Sequence, residues 1–492
     1  MVFPTPPPVR HPAHLSANVS ARDIPMHWII FLSGYVLTWS VIPHVLISKK
    51  RPAATLAWIW SILLFPYLGA LVYLLLGADQ MKRKRLRRSL RADFQNAPPP
   101  AACLSPDTPA SVHSLLRALS TINEIPLATA THARLLSDAA EFYPALKERI
   151  SQARHHIHVE FFIWRDDSEG REFLDALIQA AQRGVAVRLL LDQIGCLGTP
   201  SKAFASLRAA GGQFAWFYSL PFGRHSRFLN LRNHRKLQII DGQCAFIGGM
   251  NIGAEYAGKD PGLGPWHDTQ LEVRGEVLSF LQEIFATDWY FATQERLLGA
   301  AYYPAPPPGN RMLCQVIAGG PDAPREPIPK SLVTLLNFAS SRVWIATGYF
   351  APDIPLLSAL QICAARGVDV RLLVSEKSDH PYLVTIGRSY YEDLLRYGIR
   401  VFEYSKAIHH SKTLLIDQEW LMVGSANSDN RSMRLNFELN LLLKSPEQAK
   451  ELEHIFETDF AESREILPSD FASRPLHRRI LESALRPLAP LL

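Results

Sequence analysis

Two stretches of this 492-residue chain carry the same reactive side chains at the same intervals. NHRKLQIIDGQCAFIGGMN holds His234, Lys236, Asp241, Gly248, Gly249 and Asn251. HHSKTLLIDQEWLMVGSAN holds His410, Lys412, Asp417, Gly424, Ser425 and Asn427 at the same offsets. Imidazole, ammonium and amide together suit a phosphate ester. Imidazole attacks phosphorus or moves a proton near neutral pH. Ammonium and amide donate to the charged equatorial oxygens. A two-step displacement needs both a nucleophile and an acid/base, and one copy holds one such His. Two copies meeting across a pseudo-dyad supply both.

Each copy must begin as a strand. KLQIID and KTLLID are apolar and β-branched, and are closed by the turn signals Asp241-Gly242 and Asp417-Gln418. Residues two apart on a strand share a face, so His234 sits beside Lys236 and His410 beside Lys412. Each Asp lies an odd number of residues from its His. A regular strand therefore points Asp241 and Asp417 away, as turn or support groups rather than general bases. The following Gly-Gly or Gly-Ser lets backbone approach closely. Asn251 and Asn427 can then donate to an anion or cap the next helix.

Around these stretches the chain repeats itself. FYPALKERISQARHH reads as a helix, IHVEFFIW as a strand, EGREFLDALIQAAQRG as a helix and VAVRLLLD as a buried strand. PKSLVTLLNFASS, RVWIATGYF, LLSALQICAARG and VDVRLLVS echo that order. The alternation predicts an α/β fold with mixed or parallel sheets. The halves are expected at 111–300 and 311–492, with the Pro-rich AYYPAPPPGN (301–310) between them. Asp192, Tyr349 and Asp353 follow predicted strands, where α/β sites collect. Pocket-lining, core and turn roles all fit them.

No Lys, Arg, Asp or Glu occurs between Asp23 and Lys49, nor between Arg51 and Asp79. Each gap exceeds the roughly 20 residues that cross a bilayer. After an N-terminal tail (1–25), two transmembrane helices are expected at 26–48 and 53–78. Pro43 and Pro66 would bend them, which leaves a re-entrant hairpin open. A basic juxtamembrane segment and linker follows at 79–110. Residues 82–91 carry seven positive charges and the turn Lys49–Arg51 three. The larger cluster favours a cytoplasmic body and contact with anionic headgroups. The remaining residues, 92–492, sum to −4, which lacks the basic footprint of a nucleic-acid enzyme. Five scattered Cys without C-x-x-C spacing argue against a disulfide framework or zinc site.

The duplicated His-Lys-Asp pattern resembles the phospholipase D superfamily. RNHRKLQIIDG, GGMNIGAEY, WHDT, GYFAPD, HHSKTLLID, GSANSDNRSMRLNFELN and the terminal PLAPLL resemble the bacterial cardiolipin synthases more closely. Ala254 departs from that pattern, which has Asp after GGMNIG. The resemblance implies two pseudo-symmetric α/β/α halves forming one catalytic body, with both His in one cleft. A catalytic His needs its second ring nitrogen held, usually by a carboxylate. By resemblance, Glu438 orients His410 and Asp268 orients His234.

It also implies that His234 attacks a phosphatidylglycerol and that His410 is the acid and base. The products would be cardiolipin and glycerol, in a bacterial cell membrane, with no cofactor, no metal and no nucleic-acid partner. A phospholipase D releasing phosphatidic acid and a non-catalytic scaffold are the alternatives. At the C-terminus, RPLHRRILESALRPL places Leu476, Ile480, Ala484 and Leu488 on one helical face. Packing of that face on the body is the expected arrangement, with membrane contact as the other.

Overall fold

The computed structural model describes residues 26–48, 52–74, 108–218, 231–260, 266–305, 309 and 311–491. The tail, the Lys49–Arg51 turn, the basic cluster 82–91, Cys103, most of the 79–110 segment and part of the Pro-rich linker lie outside them. The chain divides into two units, 1–79 and 80–492.

The first unit contains α1 (Met26–Ile47), α2 (Pro52–Leu64) and α3 (Pro66–Val72). Only α1 is long and apolar enough, among the described residues, to cross a membrane. The expected second span is not confirmed: its described residues form two helices rather than one. Pro66 cannot donate to the helical ladder, and α2 stops before it. The chain then reverses so tightly that a Cβ on Gly69 would sit 2.3 Å from the Ser61 carbonyl oxygen. Tyr67 Oη reaches the Ile30 carbonyl at 2.5 Å, near the start of α1, and Tyr73 Oη lies 2.7 Å from His44 Nδ1, near its end. α3 thus runs alongside α1 in the same direction and returns to the end where α1 finished.

The second unit opens with α4 (Ala110–Asn123), β1 (Ala128–Ala130), β2 (His132–Ser137), α5 (Asp138–Gln152), β3 (His156–Phe161), α6 (Ser168–Gln182), β4 (Ala186–Leu191) and β5 (Gln213–Trp216). β6 (Arg232–Asn233), β7 (Leu237–Ile240), β8 (Cys244–Gly248), β9 (Trp266–His267), β10 (Thr269–Arg274) and α7 (Val277–Thr293) follow. The second half runs β11 (Met312–Gly319), α8 (Pro327–Phe338), β12 (Arg342–Thr347), β13 (Phe350–Ala351), α9 (Ile354–Ala365), β14 (Asp369–Ser375), α10 (Pro381–Arg388) and β15 (Arg400–Tyr404). It continues through β16 (Ile408–His409), β17 (Thr413–Ile416), β18 (Trp420–Gly424), β19 (Ser428–Asp429), α11 (Asn430–Arg434), β20 (Asn436–Lys444), α12 (Pro446–Ala461), β21 (Ser463–Glu465) and α13 (Leu476–Leu485).

One sheet has the order β2-β10-β8-β7-β3-β4-β5, and the other contains β11-β20-β18-β17-β12-β14-β15. Strand for strand the two are equivalent. The second sheet gains β21 at one edge and β1 at the other, so the strand at 128–130 pairs with the second half rather than the first. Both hairpin strands, β7 and β17, are buried throughout; Leu and Ile fill β7 apart from Gln238, which donates to the Glu160 carbonyl, and Thr, Leu and Ile fill β17. A single apolar layer contains Leu237, Ile247 and Leu271 of one sheet together with Val316, Leu415 and Leu441 of the other. The sheets therefore share one core. Outer layers cover their far faces, under α5 and α6 on the first and α4, α8 and α9 on the second.

Candidate active site

Both His sit just before a hairpin strand, where the main chain crosses to the other half. β6 pairs in parallel with the start of β20, and His234 N donates to the Phe437 carbonyl at 2.9 Å. β16 pairs in parallel with β9, and His410 N donates to the His267 carbonyl at 2.7 Å. The residue after each of those carbonyls is a carboxylate. Glu438 Oε2 accepts from His234 Nδ1 at 2.9 Å, and Asp268 Oδ2 accepts from His410 Nδ1 at 2.7 Å.

The expected pairing is thus corrected. Glu438 serves His234 and Asp268 serves His410, because each His is stitched to the opposite sheet. Holding Nδ1–H on a carboxylate leaves the lone pair on Nε2 of each ring.

The glycine of the first copy has a plain purpose. A Cβ on Gly249 would lie 2.4 Å from Asp268 Oδ1. In the second copy Ser425 takes that place and its hydroxyl donates to Glu438 Oε2 at 2.5 Å. Asn436 Nδ2 reaches the other oxygen of Glu438 at 3.2 Å.

All four motif cations and imidazoles are buried. Lys236 Nζ donates to the His234 carbonyl at 2.8 Å, and Lys412 Nζ to that of His410. Burial depresses His234 to about 4, although Glu438 pulls it upward; Lys236 and Lys412 depress it further. Burial, then Lys412 and Lys236, hold His410 well below its ordinary value, and His234 itself contributes. Burial lowers Lys236 to about 7 and Lys412 to about 8. Each copy's cation thus acts on the other copy's imidazole, so the two copies form one electrostatic cluster. A negative charge placed among them would raise both lysines. Burial favours the neutral form of Glu438, yet His234 and Lys236 keep it below its ordinary value; burial raises Asp268.

Asp241 and Asp417 lie at the hairpin turns, with φ of 54° and 51°. Asp241 accepts from the backbone N–H groups of Arg154, His155 and His156 at 2.8–2.9 Å. Asp417 accepts from those of Ser340, Ser341 and Arg342, and from both Ser hydroxyls. Each ties its hairpin to the start of the neighbouring central strand. Neither touches an imidazole.

Asn251 Oδ1 accepts from Ile163 N at 3.0 Å, and its Nδ2 donates to Tyr256 Oη at 2.8 Å. Asn427 Oδ1 is buried with no hydrogen-bond donor. Asp192 accepts from Ile194 N, Gly195 N and Asn233 N, steadying the approach to His234. Asp353 caps α9 and pairs with Arg434. Tyr349 borders the site, its ring 6.4 Å from that of His410, with its hydroxyl on Asp379 at 2.7 Å.

Three features escaped the sequence reading. Arg235, between His234 and Lys236, points to the other face, pairs with buried Asp288, and donates to the carbonyls of Glu438 and Gly319. Its signal in the sequence is a third cation between His234 and Lys236, directly before an apolar strand. Trp266 and Tyr256 flank His410, with ring centroids at 5.0 and 6.2 Å. His267 bridges Asp138 at 2.7 Å and Asp459 at 3.0 Å, and His409 joins the same Asp459 at 3.2 Å. The His267, His409 and Asp459 atoms fall within metal-ligand spacing. The ring N–H groups already account for them as an ion-paired clamp. Burial opposes the His267 charge, but hydrogen bonds to Asp138 and Asp459 push it up to about 10.

Comparison with known proteins agrees with this geometry. Residues 146–289 and 332–460 match the family model described as "Cardiolipin synthase, PLD-like domain", and residues 36–77 match a phospholipase D–nuclease N-terminal model. A cardiolipin synthase of Geobacillus thermodenitrificans is 37% identical over 455 residues, covering 91% of this chain and 90% of its own. Cardiolipin synthase A of Pseudomonas aeruginosa is 36% identical over 467 residues, covering 93% and 94%. This chain belongs to the cardiolipin synthase family of phospholipase D-like phosphatidyltransferases. Among solved structures, phosphatidylserine synthase of Haemophilus influenzae shares the fold, with a TM-score of 0.59 at 16% identity over 77% of this chain and 98% of that one.

Proposed function

We propose that the protein makes cardiolipin and glycerol from two molecules of phosphatidylglycerol. The observation that carries this is the pair of imidazoles, each oriented by the other half's carboxylate, in one cluster with two lysines. His410 enters as the imidazolium, protonated at Nε2 as well as Nδ1 once the anionic phosphodiester offsets the two lysines. His234 Nε2 attacks phosphorus, a P–N bond forms, and the P–O bond to glycerol breaks as His410 delivers its Nε2 proton to the leaving oxygen. His410 then takes the proton of a hydroxyl on the second lipid. That oxygen bonds to phosphorus as the P–N bond breaks. One phosphodiester replaces another, so the exchange needs no nucleotide. Lys236, Lys412, Asn427 and the second N–H of Asn251 hold the phosphate oxygens.

The test is product analysis after incubation with phosphatidylglycerol alone. Cardiolipin and glycerol in equal amounts support the reading. Phosphatidic acid as the sole lipid product replaces it with hydrolysis.

The anchor reading is that α1 crosses the membrane once and the α2–α3 hairpin enters and returns. It is supported by the reversal at Pro66 and by the Tyr73–His44 contact. Lys49–Arg51 and the basic run 82–91 then share one side, and their ten charges together favour the cytoplasm. Two full crossings would put them on opposite sides. Labelling Lys50→Cys and Ser89→Cys variants with an impermeant thiol reagent from each face decides between the two.

A further inference from the structure

The C-terminal helix α13 is inside out. Its apolar stripe faces solvent, where Leu476 is 68% exposed, Ile480 59%, Leu481 53% and, just beyond the helix, Leu488 45%. Its inward face carries Glu482, only 5% exposed and bonded to Arg474 at 2.8 Å. The expectation that the Leu476–Ile480–Ala484–Leu488 face packs on the body is corrected by this placement. The helix is held by Leu485, and by Ala489 just beyond it, against the outer apolar layer, and by Arg486, which donates to the Ser389 carbonyl and Asp393 and stacks on Tyr390.

Such a stripe in water is unfavourable and calls for an occupant. We infer that the outward face of α13 lies on an anionic phospholipid bilayer. Arg478 and Arg479 are exposed on either flank of the stripe, where long cationic side chains keep their heads among lipid phosphates while the apolar face sinks below them. α1 gives the same chain a membrane-length apolar helix.

Position supports the same occupant. α13 packs on α10, and the segment after it, Arg486–Leu491, packs on α11, the helix that follows Asn427. From α10 an aromatic series leads inward. Exposed Tyr382 lies 5.8 Å from His380, His380 lies 6.4 Å from Tyr349, and Tyr349 lies 6.4 Å from His410. A bilayer against α13 therefore lies at the outer end of that series. The inference builds on the phospholipid reading of the site, and its test does not depend on turnover.

The full-length protein, in a Cys103→Ser background, is reconstituted into vesicles of phosphatidylcholine with or without phosphatidylglycerol. A polarity-sensitive fluorophore is placed on Ile480→Cys or, for reference, on Lys450→Cys, an exposed position of α12. The expected result is quenching by nitroxide-labelled lipid several-fold stronger at 480 than at 450, increasing with phosphatidylglycerol content. Equal quenching at the two positions overturns the inference. So does a 480–480 cross-link between two copies, which would make the occupant a second chain. Quenching at 480 in a protein that makes no cardiolipin would leave the docking intact and remove only the reaction.

Discussion

The two crossovers that deliver the histidines are built from different chemistry. At the first, Asn233 bonds to Glu160, Asp192 accepts from its N–H, and apolar Phe437 precedes Glu438. At the second, His409 precedes His410 and His267 precedes Asp268; Asp459 clamps both rings, and Asp138 holds the other side of His267. Asp138 also receives the N–H of Asp268 at 3.0 Å. The carboxylates differ too. Glu438 is supported by Ser425 and Asn436, while Asp268 is bonded by Thr269 N and fits against Gly249. A near-symmetric fold has thus given one imidazole a carboxylate held below its ordinary value and a single neighbouring ring, Phe162 at 4.8 Å, and the other a titratable frame between Trp266 and Tyr256. Unequal surroundings suit unequal tasks, one ring attacking and the other moving protons.

The largest effect should come from the rings themselves. His234→Ala is expected to lose about 10⁴-fold or more in turnover and to form no phosphoenzyme. His410→Ala should lose as much with phosphatidylglycerol. With a lipid bearing an activated leaving group it should still accumulate label on the protein. Labelled His234→Ala protein would invert the assignment.

Next come the crossed carboxylates, at about 10²-fold each. Glu438→Gln should slow formation of the phosphoenzyme, and Asp268→Asn its discharge to an acceptor, both read by rapid quench. The opposite pattern would break the crossed pairing.

The second crossover should lose stability in alkali through His267. His267 rises from 6.5 to about 10 on folding, so its contribution is complete below pH 6.5 and is lost as pH climbs through 10. Asp459 falls from 3.8 to about 2, with burial opposing and His267 and His409 lowering it; its contribution holds above pH 3.8 and is lost toward 2. His267→Gln should cost about 2 kcal/mol at neutral pH and flatten the alkaline limb of urea-melt stability. An unchanged limb would show that the clamp does not carry the charge.

The smallest catalytic effect is expected at the turns. Asp241→Asn and Asp417→Asn should each cost about 1–3 kcal/mol of stability, with kcat changed less than about threefold. Asp417 should cost more, because it also holds two hydroxyls. A hundredfold fall in kcat without a fall in Tm would return these Asp residues to the chemistry.

Much of the fold and site was legible because it repeats. The doubled interval of His, Lys, Asp, Gly and Asn marked both hairpins, and period-2 alternation put His beside Lys and turned Asp241 and Asp417 toward the loops. Pro66 and Gly69 stood in the sequence, but only the packed helices showed that they reverse the chain. Helical spacing found the apolar stripe of α13 and could not say which way it faces, since a helical wheel has no outside.

What the sequence determined by itself is local: residue type, spacing, the face each side chain takes on its own strand, and enough apolar length for an anchor. Tertiary structure decided the partners. His234 and Glu438 are 204 residues apart, His410 and Asp268 142, and Arg235 and Asp288 53. Periodicity reports a side chain's face but not the strand that will lie across from it. That is settled when two sheets share one core and each hairpin's main chain pairs with the opposite half.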